Sequence, residues 1–155
     1  MNRGQIRASI SDQTALIATL LGEAANEPVE GQIAVASVIR NRARHPRWWG
    51  KSISGVCLKK LQFSCWWEDN ANTERVYALA DALHRRVDAT GPLSVVGQLH
   101  WIAAGVMDDM VLDNSGNADH YLTTKLLQSD RCPKWAKGKK PVAVVGAHSF
   151  FRLEL

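Results

Sequence analysis

At 155 residues, with 46% hydrophobic and 22% charged residues, the chain has the length of one domain and the composition of a globular protein rather than a disordered one. The basic start, Arg3 and Arg7, is followed by Ser9, Ser11, Asp12, Gln13 and Thr14, which leaves no apolar run for a signal peptide or a membrane span. A net charge of +4 favours an anionic partner, and Lys134, Lys137, Lys139 and Lys140 gather part of it in one segment; no base-reading helix is visible, so nucleic acid is not expected. Three cysteines, Cys57, Cys65 and Cys132, are odd in number and lack short paired spacings, which indicates neither a disulfide framework nor a zinc ribbon and fits synthesis in a reducing cytoplasm.

In chain order, the first expected helix runs from about Asp12 to Ala25, where Leu16, Ile17, Leu20, Leu21 and Ala24 form a one-sided apolar stripe. The second runs from about Pro28 to Arg44, with Asn26 as cap, Pro28 at the first helical position and His45-Pro46 as the stop. It is apolar nearly all round, as the central helix of a core is. Between the two lies an acidic corner, Gly22-Glu23-Ala24-Ala25-Asn26-Glu27-Pro28. Glu23 sits there beside Leu20, Leu21 and Ala24, near the negative end of its helix. Such surroundings hold a carboxyl proton tightly, the property a general acid needs. Glu27 and Glu30, near the start of the second helix, are accounted for by its dipole alone.

Residues 47–70 read as irregular and rich in large rings, Trp48, Trp49, Phe63, Trp66 and Trp67 among them. Beside Gln62, Ser64 and Asn70 they suit a groove for a sugar or a peptide, although any single tryptophan is better explained by the core. A third helix is expected from a Thr73 cap through Val76, Ala80, Leu83 and Val87, and a fourth from about Leu93 to Val106. A turn-rich stretch from Asp113 to Asp119 precedes a short strand, His120 to Thr124. A last strand begins at Val142 and continues through Gly146 to Arg152. Helices first and a small sheet last give an α+β class, predominantly helical. The five histidines, His45, His84, His100, His120 and His148, contain no i, i+4 pair and no ligand motif, so no metal or cofactor is expected and a metal-dependent amidase is disfavoured.

Gly22-Glu23-Ala24, Glu27-Pro28, Glu30-Gly31-Gln32, Asn41-Arg42 and Gln62-Phe63-Ser64-Cys65-Trp66 together resemble the SleB/CwlJ-type cell wall hydrolases. The order of His120-Tyr121, Pro133-Lys134-Trp135-Ala136, Gly146, His148, Phe150 and Arg152 extends the resemblance from about Leu16 to Arg152. It implies a lysozyme-like fold with a small antiparallel sheet near the C-terminus, residues 1–155 forming a single peptidoglycan-cleaving domain. It also implies an endolysin-like lytic transglycosylase in which Glu23 is the lone acid and base at the MurNAc–GlcNAc bond. By the same resemblance Gln62, Phe63, Ser64 and Trp66 line the glycan groove, while His120, Tyr121 and His148 approach the reacting sugar. The alternatives are a packed turn for the first four and an inter-strand hydrogen bond for the two histidines. The expected partners are bacterial peptidoglycan, an anionic envelope met by the lysine segment, and a holin-type membrane lesion. The last would admit a cytoplasmic enzyme without a signal peptide to the periplasm or cell wall.

Departures from the family pattern are Ala25 where Arg is common, Asn26 for Gly, Asp119 for Thr and Phe151 for Tyr. Asp119 introduces a carboxylate beside His120, and a second acid able to activate water would make the enzyme a hydrolytic muramidase. A non-catalytic peptidoglycan-binding module that keeps the groove is the reading from a different class.

Overall fold

A computed structural model describes residues 1–85 and 95–155. In chain order the helices are α1 (Arg3–Ser9), α2 (Asp12–Ala24), α3 (Val29–Arg44), α4 (Ile53–Cys57), a 3-10 turn (Ser64–Trp66), α5 (Ala71–His84) and α6 (Val95–Met107). Then come β1 (His120–Thr123), α7 (Thr124–Leu127), β2 (Ala143–Val145) and β3 (His148–Phe151), the strands forming one antiparallel sheet in the order β1-β3-β2. The helix-dominated α+β class expected from the pattern is the observed one.

Details differ for local reasons. The α1 helix was not anticipated; it is held by a reciprocal capping box between Asn2 and Gln5 rather than by an apolar stripe, and only Ile6 in it is buried. Pro28 is itself the cap of α3, with no side-chain hydrogen bond, so neither the Asn26 cap nor Pro28 at the first helical position is found. For α5 the cap is Asn70 instead of Thr73, because its Oδ1 accepts the backbone N–H groups of both Asn72 and Thr73. The expected final strand is a hairpin. Gly146 adopts φ +57°, and the two-residue turn it makes with Ala147 folds β3 back on β2 so that Val145 pairs with His148. Val87 and Leu93, expected in the third and fourth helices, lie outside the described residues.

Two central helices share the core. Every α2 side chain from Thr14 to Leu21 is buried, and α3 is buried from Ala34 to Arg42. Aromatic residues of the 47–70 segment anchor it to these helices. Trp49, fully buried, donates its indole N–H to the carbonyls of Arg42 and His45 and so closes the end of α3. Trp66 donates to Thr19 Oγ1 at 2.9 Å and meets the Tyr77 ring edge-on, and the Tyr77 hydroxyl donates to the Trp66 carbonyl.

The polar end of α3 fastens the 113–119 loop. Asn41 donates to Asp113 Oδ2 (2.8 Å) and the Ala118 carbonyl (3.0 Å), and Arg42 Nε donates to the Asp119 carbonyl (2.6 Å). Arg40 lies 3.0 Å from Asp109 Oδ1. This loop leads directly into β1, so α3 fixes where His120 and Tyr121 stand relative to the corner that follows α2.

Candidate active site

The acidic corner is built around one carbonyl. Ala24 O, at the end of α2, accepts both the Glu27 backbone N–H (3.0 Å) and the Gln32 side-chain amide (3.1 Å), and the buried Gln32 in turn accepts from Gln98 (2.6 Å). These bonds satisfy a helix end that water would otherwise cover, and they hold Glu23 in the last turn of α2. Gly22 brings the 62–67 segment against that turn. A Cβ added at Gly22 would stand 2.7 Å from Cys65 Sγ and 2.9 Å from Val76, so only glycine admits this approach.

Glu23 lines three adjoining concavities. One, about 440 Å3, is polar, with Asn26, Glu27, Asn72, Arg75 and Ala147 in its wall. A second, about 580 Å3, is aromatic, walled by Trp48, Phe63, His120, Tyr121 and Trp135 with Arg42 and Gln62. The third, about 330 Å3, reaches Gln62, Ser64, Trp67 and Glu68. Burial raises the Glu23 pKa; hydrogen bonding from the Cys65 thiol and backbone pulls the other way, Glu68 adds to the rise, and the net shift is upward. A carboxyl that burial makes hold its proton more tightly, at the junction of three concavities, is suited to donate that proton to a ligand lying along them.

The other residues expected at the site divide. Gln62, Phe63, Ser64, His120 and Tyr121 face these concavities together with Glu23. Trp66 does not: it is 1% exposed and belongs to the core contact with Thr19 and Tyr77. His148 is buried behind Tyr121, their rings perpendicular at 5.2 Å. The Tyr121 hydroxyl has its pKa raised by burial and by nearby Glu23, and it therefore remains a donor at neutral pH. His120 stands among three indoles, with ring centroids 5.3 Å from Trp135, 6.1 Å from Trp49 and 6.4 Å from Trp48.

Two carboxylates have surroundings that the sequence did not suggest. Asp119 is fully buried and has no free acceptor position to offer: it accepts the backbone N–H groups of Leu153, Glu154 and Leu155 and lies 2.9 Å from His120 Nδ1. Burial raises its pKa, but the hydrogen bonds from His120 and the backbone outweigh that, and the net shift is downward. It is a clamp on the C-terminal segment. Glu27, by contrast, is no solvated partner of a helix dipole. Its side chain is 11% exposed, Oε1 lies 2.8 Å from His148 Nδ1, and Oε2 accepts the Ala147 N–H at 3.2 Å. Its partner N–H lies 120 residues along the chain, which is why no local pattern marked it. Trp48, among the rings read as suiting a groove, lines the aromatic concavity, and Leu61, Trp135 and Arg75 also line the concavities without having been singled out for the groove.

A family model described as cell wall hydrolase matches residues 26–151. Solved structures with this fold include the catalytic domain of the germination-specific lytic transglycosylase SleB from Bacillus anthracis, with a TM-score of 0.58 and 22% identity over 90% of this chain and 92% of that one. The catalytic domain of the Bacillus cereus SleB protein gives a TM-score of 0.57 and 22% identity over 92% of this chain and 91% of that one. At this identity the likeness is one of fold, and that fold is lysozyme-like as expected. No curated protein matches. Glu23 stands just before the matched span, whereas Glu27, Gln62, His120, Tyr121 and His148 stand within it. With most of its length matched, the chain belongs to the cell wall hydrolase family.

Proposed function

We propose that the protein is a peptidoglycan-cleaving lytic transglycosylase with Glu23 as its only acid and base. The observation that carries this reading is the upward-shifted Glu23 carboxyl at the junction of the aromatic and polar concavities. The glycan lies across Glu23, one sugar face against the rings of Trp48, Tyr121 and Trp135. Glu23 gives its proton to the oxygen joining C1 of N-acetylmuramic acid to C4 of N-acetylglucosamine. The C1–O bond breaks with its electron pair on that oxygen. The Glu23 carboxylate then takes the proton of the muramic acid 6-hydroxyl as O6 bonds to C1, closing a 1,6-anhydro ring and restoring the acid without consuming water. Tyr121 and Gln62 hydrogen-bond the sugars, and Arg42, bonded to Gln62 Oε1 at 3.4 Å, fixes that amide.

The occupied state of Asp119 favours this single-carboxylate route over a muramidase in which Asp119 activates water. Residues 1–155 act as one catalytic domain in this reading, with peptidoglycan as substrate. The setting we propose is an endolysin reaching the periplasm or cell wall through a holin-type lesion, with exposed Lys134, Lys137, Lys139 and Lys140 drawing it to an anionic envelope. No described helix is long and apolar enough to cross a membrane. The test is Glu23→Gln on purified peptidoglycan: the variant keeps its fold and releases no soluble fragments. Wild-type turnover by a folded E23Q protein would end the proposal, as would a wild-type protein that binds peptidoglycan and releases nothing.

A further inference from the structure

Glu27 is held by more of the structure than a stabilising ion pair requires. Gly31, in the first part of α3, leaves the space its side chain occupies: a Cβ there would lie 3.1 Å from both Cβ and Oε2 of Glu27. On the opposite side Gly146, at φ +57°, turns its missing Cβ onto Glu27 Oε2 and lies against Pro28. Two glycines from distant parts of the chain thus form one carboxylate-sized recess. Burying a carboxylate beside a buried imidazole is not in itself a source of stability, because desolvation offsets most of the attraction. The recess opens into the polar concavity, where Glu27 and Glu23 share a wall.

What Glu27 touches leads toward the chemistry. Its Oε1 meets His148 Nδ1 at 2.8 Å, approached obliquely rather than along the N–H direction, and Oε2 accepts Ala147 N–H from the β2–β3 turn. The His148 ring abuts Tyr121 edge to face at 5.2 Å, and Tyr121 stacks on Phe150 at 5.6 Å. Tyr121 itself lines the aromatic concavity with Glu23. A row of contacts, Glu27 to His148 to Tyr121, therefore passes from the polar concavity to the aromatic one, and Glu23 borders both. A carboxylate beside Nδ1 selects the tautomer and orientation of the imidazole, and the ring's orientation sets how far Tyr121 leans toward Glu23.

We propose that Glu27 is a positioning residue: through His148 and the Gly146-Ala147 turn it fixes the Tyr121 ring against the reacting sugar, opposite the Glu23 carboxyl. The inference rests on the glycan-cleaving reading of the Glu23 site. It assigns Glu27 no proton transfer, since Oε2 accepts the Ala147 N–H and Oε1 lies against the His148 ring. The loss on removing it falls on turnover rather than on binding, because Glu27 orders a wall of the site and leaves the sugar-stacking rings in place.

The experiment compares wild type, Glu27→Gln and Glu27→Asp for fragment release from purified peptidoglycan as a function of substrate concentration, with thermal unfolding of each. Wild-type turnover together with an inactive E23Q protein establishes the underlying reading independently. E27Q is then expected to fold, to lose about 10- to 100-fold in kcat with KM nearly unchanged, and E27D to recover part of the loss. Wild-type kcat in folded E27Q, a loss confined to KM, or an E27D protein that is folded yet no faster than E27Q would each overturn the proposal. Should E27Q fail to fold, His148→Asn makes the same test. It keeps an N–H facing Glu27 and removes the ring against Tyr121, so a folded H148N protein with reduced kcat supports the proposal and one with wild-type kcat overturns it.

Discussion

Gly22 and Cys65 interlock: the hydrogen of the glycine leaves the only room in which the cysteine can sit, and an added Cβ would fall 2.7 Å from Sγ. The contact joins the turn bearing Glu23 to the segment bearing Gln62, Phe63 and Ser64, so the separation of the groove's two walls depends on it. Gly22→Ala is expected to cost about 1–3 kcal/mol by overpacking, read from chemical denaturation. It is also expected to lower turnover beyond what the unfolded fraction explains. An alanine variant as stable and as fast as wild type would show that the walls tolerate displacement.

Cys65 also sets the acidity of its neighbour. Its hydrogen bonds favour the ionised form of Glu23 against the opposing effect of burial. Cys65→Ala removes the thiol donor, which raises the Glu23 pKa further and moves the alkaline limb of the pH–rate profile to higher pH; Cys65→Ser, which retains a donor, moves it less. A limb shifted to lower pH in C65A would contradict this assignment.

Asp119 is expected to matter for folding and not for the outcome of the reaction. Asp119→Asn places an amide N–H₂ among backbone donors and is expected to cost about 3 kcal/mol. The depressed folded pKa fixes the pH dependence. The stabilisation is fully present above the unfolded value near 3.9 and is lost as pH falls through the lower folded value. D119N should therefore flatten the acid limb of the stability profile, measured by urea titration from pH 2 to 6, while the released fragments keep the same chain ends.

Two tryptophans with similar sequence surroundings should behave oppositely. Trp66→Ala empties a fully buried site and is expected to cost about 3–5 kcal/mol of stability. Trp48, 48% exposed at the aromatic concavity, is expected to leave stability nearly unchanged on replacement by Ala and to weaken glycan binding by about 1 kcal/mol, read as a rise in KM. Equal effects of the two changes on stability would contradict the placement of Trp48.

These contrasts follow what local pattern can and cannot carry. Periodicity marked α2, α3 and the register of apolar residues in α5 and α6, because those helices bury a face against neighbours along their whole length. It did not mark α4, whose five residues are held by Ser52 at the cap and by Asp12 accepting the Ser54 N–H from the start of α2. The direction of the Glu23 shift was legible because burial, its main cause, is foreshadowed by the apolar residues of its own helix, whereas the contributions of Cys65 and Glu68 come from another segment. The surroundings of Glu27 and Asp119 were not legible because their partners, Ala147 and His148 for the first and the last three backbone N–H groups for the second, arrive from elsewhere in the chain. Trp66 was placed in the groove by the family resemblance, whereas the 3-10 turn at Ser64–Trp66 directs it inward to Thr19, as the packed-turn alternative has it.

The most direct measurement of the central claim is mass spectrometry of the soluble fragments from purified peptidoglycan, before and after borohydride reduction. Glu23 acting alone predicts anhydromuramic ends that borohydride leaves unchanged. Reducible muramic acid ends, heavier by one water before reduction, would contradict it and show that a water molecule attacks C1.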